Sequence, residues 1–588
     1  MRAIAKVMAL AGLMFGAPSL LAADTWPQWG GPNRNFIAEA TGLVDKWPEG
    51  GPRVIWSRAL GTGHSAIVAA DGRLFTMYRV GNGRTRQGPW EPEESVIALD
   101  AATGKTIWEY KYASKREDFS FGAGPHSTPL VVGDRLFAFG TNKQLHAFDT
   151  RTGKILWSHD LVKEFNSPTL LIRPVVKTGY GCSPIAFRDT IICSAGGPGQ
   201  SVMAFRQRDG SVAWKSGDFL TSEAAPILID FAGTQQLVVL GGGTVNGMDP
   251  ATGTVLWSHP HDPGNDLNCG TPLWGPDNIL FVSSAYKAGS RAIRLVKKGD
   301  ATVPEEVWFT NRVRFMFLNA LRVGDHVYGT TGDFGPAFLT ALDIKTGRAA
   351  WQHRGFGRAS LIHADGKAII LDEDGDLALA KLSPEGVTIL SEAKVFETTS
   401  WTSPTLVNTT LYARDREKIV ALDLGAEPAQ NFSGTWKLDA ERSRISPTAS
   451  LAGLAASGAP PVLHVTQPAN GTLIVESQIN ESHSRIYTPG SKTTTPITVG
   501  PPGSVTMTSR WEGQKLVSEG SRETTSGTSS VVTAIKEVFS LSADGNTLSI
   551  EVATTTAGEP STSTMTFTRT KDVGPCQSWP TPCKPPTP

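Results

Sequence analysis

One recurring pattern sets what this chain can fold into. Residues 98–108 read ALDAATGKTIW: a short apolar run, an Asp, a Thr-Gly pair, and a Trp four residues after the Gly. The pattern returns as AFDTRTGKILW (147–157), AFRQRDGSVAW (204–214), GMDPATGTVLW (247–257) and ALDIKTGRAAW (341–351). A degraded copy ends at Trp308, and another, 377–390, has lost its Trp. Two half-copies remain, RVIW at 53–56 and IVALDLG at 419–425, which together make one complete unit. Ahead of each copy lies a hairpin of the type HSTPLVVGDRLFAFG, which starts at His126. Its relatives start at His64, Cys182, Cys269, Asn319, Ala359 and Trp401, and a looser one runs from Ala224 to Leu240. Self-similarity at this spacing marks a repeat architecture.

Each hairpin and its closing unit supply four short strands, with alternation as in LFAFG and turn pairs Gly-Asp, Asp-Gly and Thr-Gly between them. Gly104, Gly153, Gly253 and Gly347 take the left-handed position of a bulged hairpin turn, which a β-branched residue occupies only at a cost. Trp56, Trp108, Trp157, Trp214, Trp257, Trp308 and Trp351 then fall on outer strands and pack against the next sheet. A four-stranded sheet cannot bury both faces alone, so neighbours stack radially and leave few exposed edges. The expectation is an all-β protein whose propeller has eight four-stranded blades, with seven as the fallback because two copies are weak. The split unit predicts that the strand around Trp56 completes the last blade.

At 588 residues the chain exceeds one ordinary core, and composition changes after Gly425. The expected division is a signal peptide (1–22), a propeller (24–428), a second β domain (430–572) and a Pro-rich tail (573–588). Arg2 and Lys6, an apolar run from Val7 to Leu21, and Ala22-Ala23 form the export signal. No Cys follows it to carry a lipid, and no later segment is apolar enough to span a bilayer, so a soluble periplasmic or extracellular protein is expected. Lys plus Arg equals Asp plus Glu, 55 each, which argues against a nucleic-acid partner. The second domain opens with NFSGTWKLDAERSR and continues through runs such as TLIVESQ and LSADGNTLSIEV. It predicts roughly eight antiparallel strands in a small barrel or curved sheet. Five Cys are too few for a disulfide framework. Cys182 and Cys193 fall on two arms of one hairpin and could bridge, as could Cys576 and Cys583 in the tail, leaving Cys269 over.

The repeat resembles that of the pyrroloquinoline-quinone-type β-propellers, which include quinoprotein alcohol dehydrogenases and the propeller component of the outer-membrane barrel-assembly machinery. WPQWGGPNRNF from Trp26, GAGPHSTPLVVGDRLFAFG and TGYGCSPIAF are similar to segments of an exported bacterial subgroup, and the resemblance covers roughly residues 24–426. FSGTWKLD with LSADGNTLSIEV is similar to lipocalin-like domains of exported bacterial proteins. In the dehydrogenases the resemblance implies a quinone over the channel, with a Trp beneath, an adjacent-cysteine disulfide above, a Ca²⁺ held by carboxylate and amide oxygens, and an Asp base. This chain has no Cys-Cys pair and no CxxCH haem-attachment sequence.

In a propeller the residues that open each inner strand crowd the channel mouth. Here these include His64, His126, Cys182, Cys269 and Trp401, the candidate cofactor-binding or transition-metal residues, against the plainer reading of a wet polar channel. LDEDGDLAL at Leu371 lacks the Gly and the terminal Glu of a calcium loop and reads as a tight turn at Asp374-Gly375. GGPGQ at Gly196 and GGGTVNG at Gly241 lie between strands, not at a helix start, and read as turns. His261 and Asp262 occupy a blade-to-blade loop. No catalytic residues are assigned, no resident metal is expected and no cofactor is expected. The leading expectation is a non-catalytic exported scaffold that binds an envelope protein or glycan. The alternatives are a dehydrogenase of alcohols or sugars using pyrroloquinoline quinone with Ca²⁺, and a carrier of a small apolar ligand in the C-terminal domain. Oligomeric state is left open.

Overall fold

The computed structural model describes residues 25–570, apart from 49, 80–92, 116–120, 123, 170–177, 317, 333–334, 426–430, 452–453, 456–457, 468–471, 480, 498–500, 513, 527–528 and 543. The proposed signal peptide and the Cys576–Cys583 pair lie outside the described residues. The chain divides into two compact units, Met1–Gly425 and Ala426–Pro588.

The first unit is an eight-bladed propeller of four-stranded antiparallel sheets. Blade 1 comprises Val68–Ala70, Arg73–Arg79, Glu93–Asp100 and Thr106–Ala113, and blades 2 to 7 follow in chain order with inner strands starting at Leu130, Ile185, Ile227, Leu273, Leu321 and Ala359. Blade 8 takes Thr405–Val407, Thr410–Arg414 and Lys418–Asp423 from the end of the unit and its outer strand, Arg53–Ala59, from the beginning. Trp56 pairs there with Ala421, and Arg53 forms an ion pair with Asp423 at 2.6 Å. The first and last strands of the ring thus meet in one sheet, as the two half-copies of the repeat predict.

The recurring residues of the repeat each have a structural reason. The Trp lies cross-strand from the small residue that opens the motif: Trp108 opposite Ala98, Trp157 opposite Ala147, Trp214 opposite Ala204, Trp257 opposite Gly247 and Trp351 opposite Ala341. A Cβ on Gly247 would stand 2.0 Å from the Trp257 ring, so the indole fills the space a larger residue would need. Immediately after that pair each ladder carries a β-bulge, for example between Ala98 and Leu99, which increases local twist. The motif Asp closes the turn: Asp100 Oδ1 accepts from the Thr103 backbone N–H at 2.8 Å and from its hydroxyl at 2.7 Å, and Asp149 does the same for Thr152.

The turn Gly serves the neighbouring blade. Gly153 of blade 2 has φ +71°, and a Cβ there would come within 2.5 Å of the Trp108 ring of blade 1. The Trp108 indole N–H donates to the Thr150 carbonyl of that same turn at 2.9 Å. Trp56 against Gly104, Trp157 against Gly210, Trp214 against Gly253 and Trp308 against Gly347 repeat the ring-on-glycine contact. Their N–H groups donate to the carbonyls of Ala101, Gln207, Pro250 and Ile344. Trp257 faces a blade whose outer hairpin has longer strands and a tighter turn, 299–300, and its N–H goes to Gln236 Oε1, whose amide reaches Thr302 Oγ1 across the blade boundary. In blade 7 the Trp position holds Ser391, opposite Leu379. Trp47 of the N-terminal segment packs into the cluster there and donates its backbone N–H to Ser391 Oγ at 2.9 Å.

The second unit is a ten-stranded antiparallel sheet curled into a nearly closed barrel, its first strand Gly434–Leu438 hydrogen-bonded to its last, Glu559–Thr570. Eight strands are expected from sequence; the two added, Glu481–Tyr487 and Lys492–Ile497, are the sheet's edges. Their Thr- and Ser-rich runs carry too little apolar alternation to announce strands. The interior is filled by Trp436, Leu516, Phe539 and Phe567, with Glu537 accepting from Arg485 at 2.7 Å and from Tyr487 at 2.9 Å.

Gly153→Ala adds a methyl at a left-handed position under an indole and is expected to destabilise the propeller by about 2–4 kcal/mol. Trp108→Phe, which keeps a ring and loses the inter-blade hydrogen bond, costs about 1–3 kcal/mol. Urea titration of each variant against the wild type measures both.

Candidate functional site at the propeller mouth

The residues just before each inner strand converge, and they enclose a cavity of about 130 Å³. Seven of the eight blades contribute to its lining. Trp29, Phe121, Ala225, Leu267, Met316 and Trp401 supply apolar walls, and His64, His126, Thr178, Ser183, Glu223 and Cys269 supply polar atoms. Four of the five mouth residues expected from sequence, His64, His126, Cys269 and Trp401, therefore meet in one site. Cys182 does not line it. Strand alternation turns its side chain away from the cavity that Gly181 and Ser183 face, into a core cluster with Tyr180 and Cys193. Cys182 and Cys193 are both free, buried thiols, so the bridge entertained for them is not formed. Burial pushes both thiols up, as it does Cys269, which keeps all three as poor nucleophiles.

The two imidazoles stack, ring centroids 5.4 Å apart with planes 26° from parallel, and His64 also abuts Trp401 at 5.5 Å. His64 Nε2 lies 3.0 Å from the Phe121 carbonyl. A carbonyl only accepts, so this nitrogen carries the hydrogen and Nδ1 is left with a lone pair. Burial, and then the Arg416 guanidinium 3.4 Å from Nε2, hold His64 well below its ordinary value. Burial lowers His126 to about 4, against a smaller opposing interaction with the Gly122 backbone. Both rings are therefore neutral at physiological pH. Arg416 also stacks over Trp401 at 5.1 Å. Blade 7 takes part from outside the lining: Glu373 accepts from the Trp401 indole at 2.9 Å and is itself paired with Arg358 at 2.9 Å.

Glu223 is the acidic residue of the described lining, and it falls one residue outside the looser hairpin that the sequence pattern starts at Ala224. Its place before the inner strand of blade 4 matches that of His64 before blade 1, and this was the available signal. One carboxylate oxygen accepts from Thr178 Oγ1 at 2.9 Å and the other from the Gly181 N–H at 2.6 Å. Burial nevertheless raises it to about 7, these bonds and the buried Lys143 opposing. Trp29, Phe121, Thr178 and Met316 were also missed; they come from the N-terminal segment and inter-blade loops, where no repeat marks position. Trp29 is set by Phe36, buried and edge-on to its ring at 5.3 Å, and its N–H donates to Thr271 Oγ1 at 2.8 Å.

The remaining sequence candidates are structural. His261 is buried, its ring bonded to Ser284 Oγ at 3.0 Å and accepting from Arg291 Nε at 3.1 Å. Asp374-Gly375 is a tight turn in which Asp372 Oδ1 accepts from the Asp374 and Asp376 backbone, and the glycine runs at 196 and 241 are turns between strands. Among the described residues no group of three or more His, Cys, Asp or Glu could hold a metal ion. The donor set at the mouth also fails to fit pyrroloquinoline quinone. Its cysteine, Cys269, is an isolated thiol, the one carboxylate of its described lining already accepts two hydrogen bonds, and its volume is that of a single ring.

The family profile described as outer membrane protein assembly factor BamB matches residues 92–353 and 242–405, together more than half of the chain. The chain belongs to that family. Among curated relatives, outer membrane protein assembly factor BamB of Yersinia pestis is 24% identical over 301 residues, which cover 50% of this chain and 72% of that protein. The Shewanella oneidensis BamB is 22% identical over 341 residues, 55% of this chain and 80% of that one. Quinohemoprotein alcohol dehydrogenase ADH IIB of Pseudomonas putida is 29% identical over 185 residues, only 29% of this chain and 24% of the enzyme.

The titrations at the mouth have opposite signs. An unfolded Glu takes its proton near 4.5 and folded Glu223 near 7, so between those values the folded state binds more protons and stability falls as pH rises. Glu223→Gln is expected to stabilise the propeller at pH 8 by up to about 3 kcal/mol and to do little at pH 4.5. The imidazoles work the other way: unfolded His126 protonates near 6.5 and the folded ring near 4, so its contribution is lost as pH falls through that window. Denaturation of wild type and variant across pH 4–8 measures both slopes.

Proposed function

We propose that the protein is an exported scaffold of the cell envelope whose propeller presents its loop face to a protein partner. The observation that carries this reading is the family match, to proteins named as outer membrane assembly factors, over the segment that builds the blades. The chemistry of the mouth agrees with it: neutral imidazoles, protonated thiols and a carboxylate engaged by backbone and Thr178 make no nucleophile–base pair. The positively charged N-terminus, apolar run and small-residue site support export. The C-terminal barrel, read as lipocalin-like, is a second module of the scaffold. A glycan partner is a weaker form of the same reading, and quinone-dependent oxidation is its rival.

Photo-crosslinking in the native cell tests it. A photoreactive residue at Lys287, Arg416 or Asp262, in loops of blades 5, 8 and 4, is expected to recover one envelope protein reproducibly. Adducts spread over abundant proteins, together with saturable, calcium-dependent binding of pyrroloquinoline quinone, would overturn the scaffold in favour of the dehydrogenase.

A further inference from the structure

Seven blade boundaries are covered by the motif indole of the preceding blade, and the eighth is not. Between blades 7 and 8 both halves of the contact are missing. Blade 7 carries Ser391 at the Trp position, and blade 8 has no turn glycine, because its outer hairpin is split between the two ends of the propeller segment. Trp47 reaches Ser391. Two residues further along the same strand, from Ala393 onward, the boundary stays unfilled, and a surface groove of about 120 Å³ opens there.

The walls of the groove follow from strand pairing. Val54 lies opposite Leu422 and Ser57 opposite Val420, so these four side chains share the face of blade 8 that looks toward blade 7. Ala393 and Val395 of blade 7 complete the apolar surface. Val420 and Leu422 are the buried floor, whereas Val54 at the rim is 57% exposed. The basic lining residues are Lys394 and Lys418, and the described lining has no acidic residue. Lys394 is engaged by the Asp374 carbonyl at 2.7 Å and by Asp376 at 3.4 Å. Lys418 lies over the Phe396 ring at 5.3 Å, and its ammonium makes no hydrogen bond or ion pair with the described residues.

Size and charge narrow the occupant. The volume approaches that of an engineered cavity of about 150 Å³ known to take benzene, so one ring fills it. The uncommitted ammonium favours a carboxylate beside that ring. We propose that the groove between blades 7 and 8 docks an aromatic residue flanked by acidic ones in an exposed segment of a partner protein. The ring completes the boundary that the repeat leaves unfilled, and a flanking carboxylate pairs with Lys418. The proposal rests on the scaffold reading for a protein partner, and the groove lies on the side of the ring, away from the loop face where that reading is tested.

Isothermal titration of the full mature protein with three acetylated, amidated tripeptides tests it: Glu-Phe-Glu, Glu-Ala-Glu and Gln-Phe-Gln. Glu-Phe-Glu is expected to bind saturably at one site, about tenfold or more tighter than Glu-Ala-Glu, the value of burying one ring. Gln-Phe-Gln is expected to bind about threefold more weakly than Glu-Phe-Glu at low salt, with the difference vanishing near 1 M salt, where exposed ion pairs are screened. Ser57→Trp, which fills the groove from its exposed rim, is expected to weaken Glu-Phe-Glu binding about tenfold or more. Lys418→Gln is expected to bring Glu-Phe-Glu to the affinity of Gln-Phe-Gln. Absence of saturable Glu-Phe-Glu binding, equal affinity for the Phe and Ala peptides, or equal affinity for the Glu and Gln peptides at low salt would each overturn the proposal, as would undiminished binding to folded Ser57→Trp. The three peptides on the wild-type protein decide the matter even if a variant fails to fold. Failure of the peptides alongside reproducible crosslinks from the loop face overturns the groove and leaves the scaffold standing.

Discussion

The propeller depends on an indole of one blade lying on a glycine of the next. The contact is double. The ring covers a left-handed glycine whose missing Cβ makes room for it, and the indole N–H satisfies a turn carbonyl of the same blade. An outer strand has neighbours on one side only, and its ring would otherwise expose apolar surface and an unpaired donor. Seating it on the next turn removes both costs and fixes the angle between sheets. The arrangement also explains why the motif is long. Ala opens it because the ring of its own blade lies opposite, Asp closes the turn, and Gly receives the ring of the blade before.

Where the contact is missing, something replaces it. Blade 7 has Ser391 in place of the Trp, and Trp47 of the N-terminal segment packs there from outside the repeat. At the altered turn of blade 5, Gln236 relays the hydrogen bond of Trp257 to Thr302. Ring closure uses the same unit, with the halves of one repeat supplied from opposite ends of the propeller segment. The N-terminal segment thus closes the ring through Trp56, patches blade 7 through Trp47 and reaches the cavity through Trp29. One stretch of chain couples the integrity of the ring to the shape of its mouth.

The fold was legible because the repeat is a statement about packing, and packing repeats blade by blade. The blade strands, the split unit and the outer tryptophans follow from it. The second unit was legible in class but not in strand number, since its edge strands have little apolar face to show. At the mouth, position was legible and membership was not. His64, His126, Cys269 and Trp401 are found by asking which residues open the inner strands, and Glu223 follows the same rule once its hairpin is aligned one residue earlier. Cys182 stands three residues before its inner strand where the others stand four, so Gly181 holds the equivalent place, and adjacent residues of an extended segment face opposite ways. Trp29 and Phe121 arrive from segments that no period describes.

That division says where chemistry can reside in such a ring. The motif positions are engaged within their own blade or by the next, so a change at any of them is felt first as a packing change. The positions that open the inner strands carry no such duty. They share a place at the mouth and differ in identity, reading His, His, Glu, Cys and Trp at 64, 126, 223, 269 and 401. Eightfold regularity in the walls thus leaves the mouth free to be irregular. The stacked imidazoles of blades 1 and 2, beside aromatic walls from the N-terminal segment and blade 8, set an asymmetric mouth on a scaffold whose repeat has no such asymmetry.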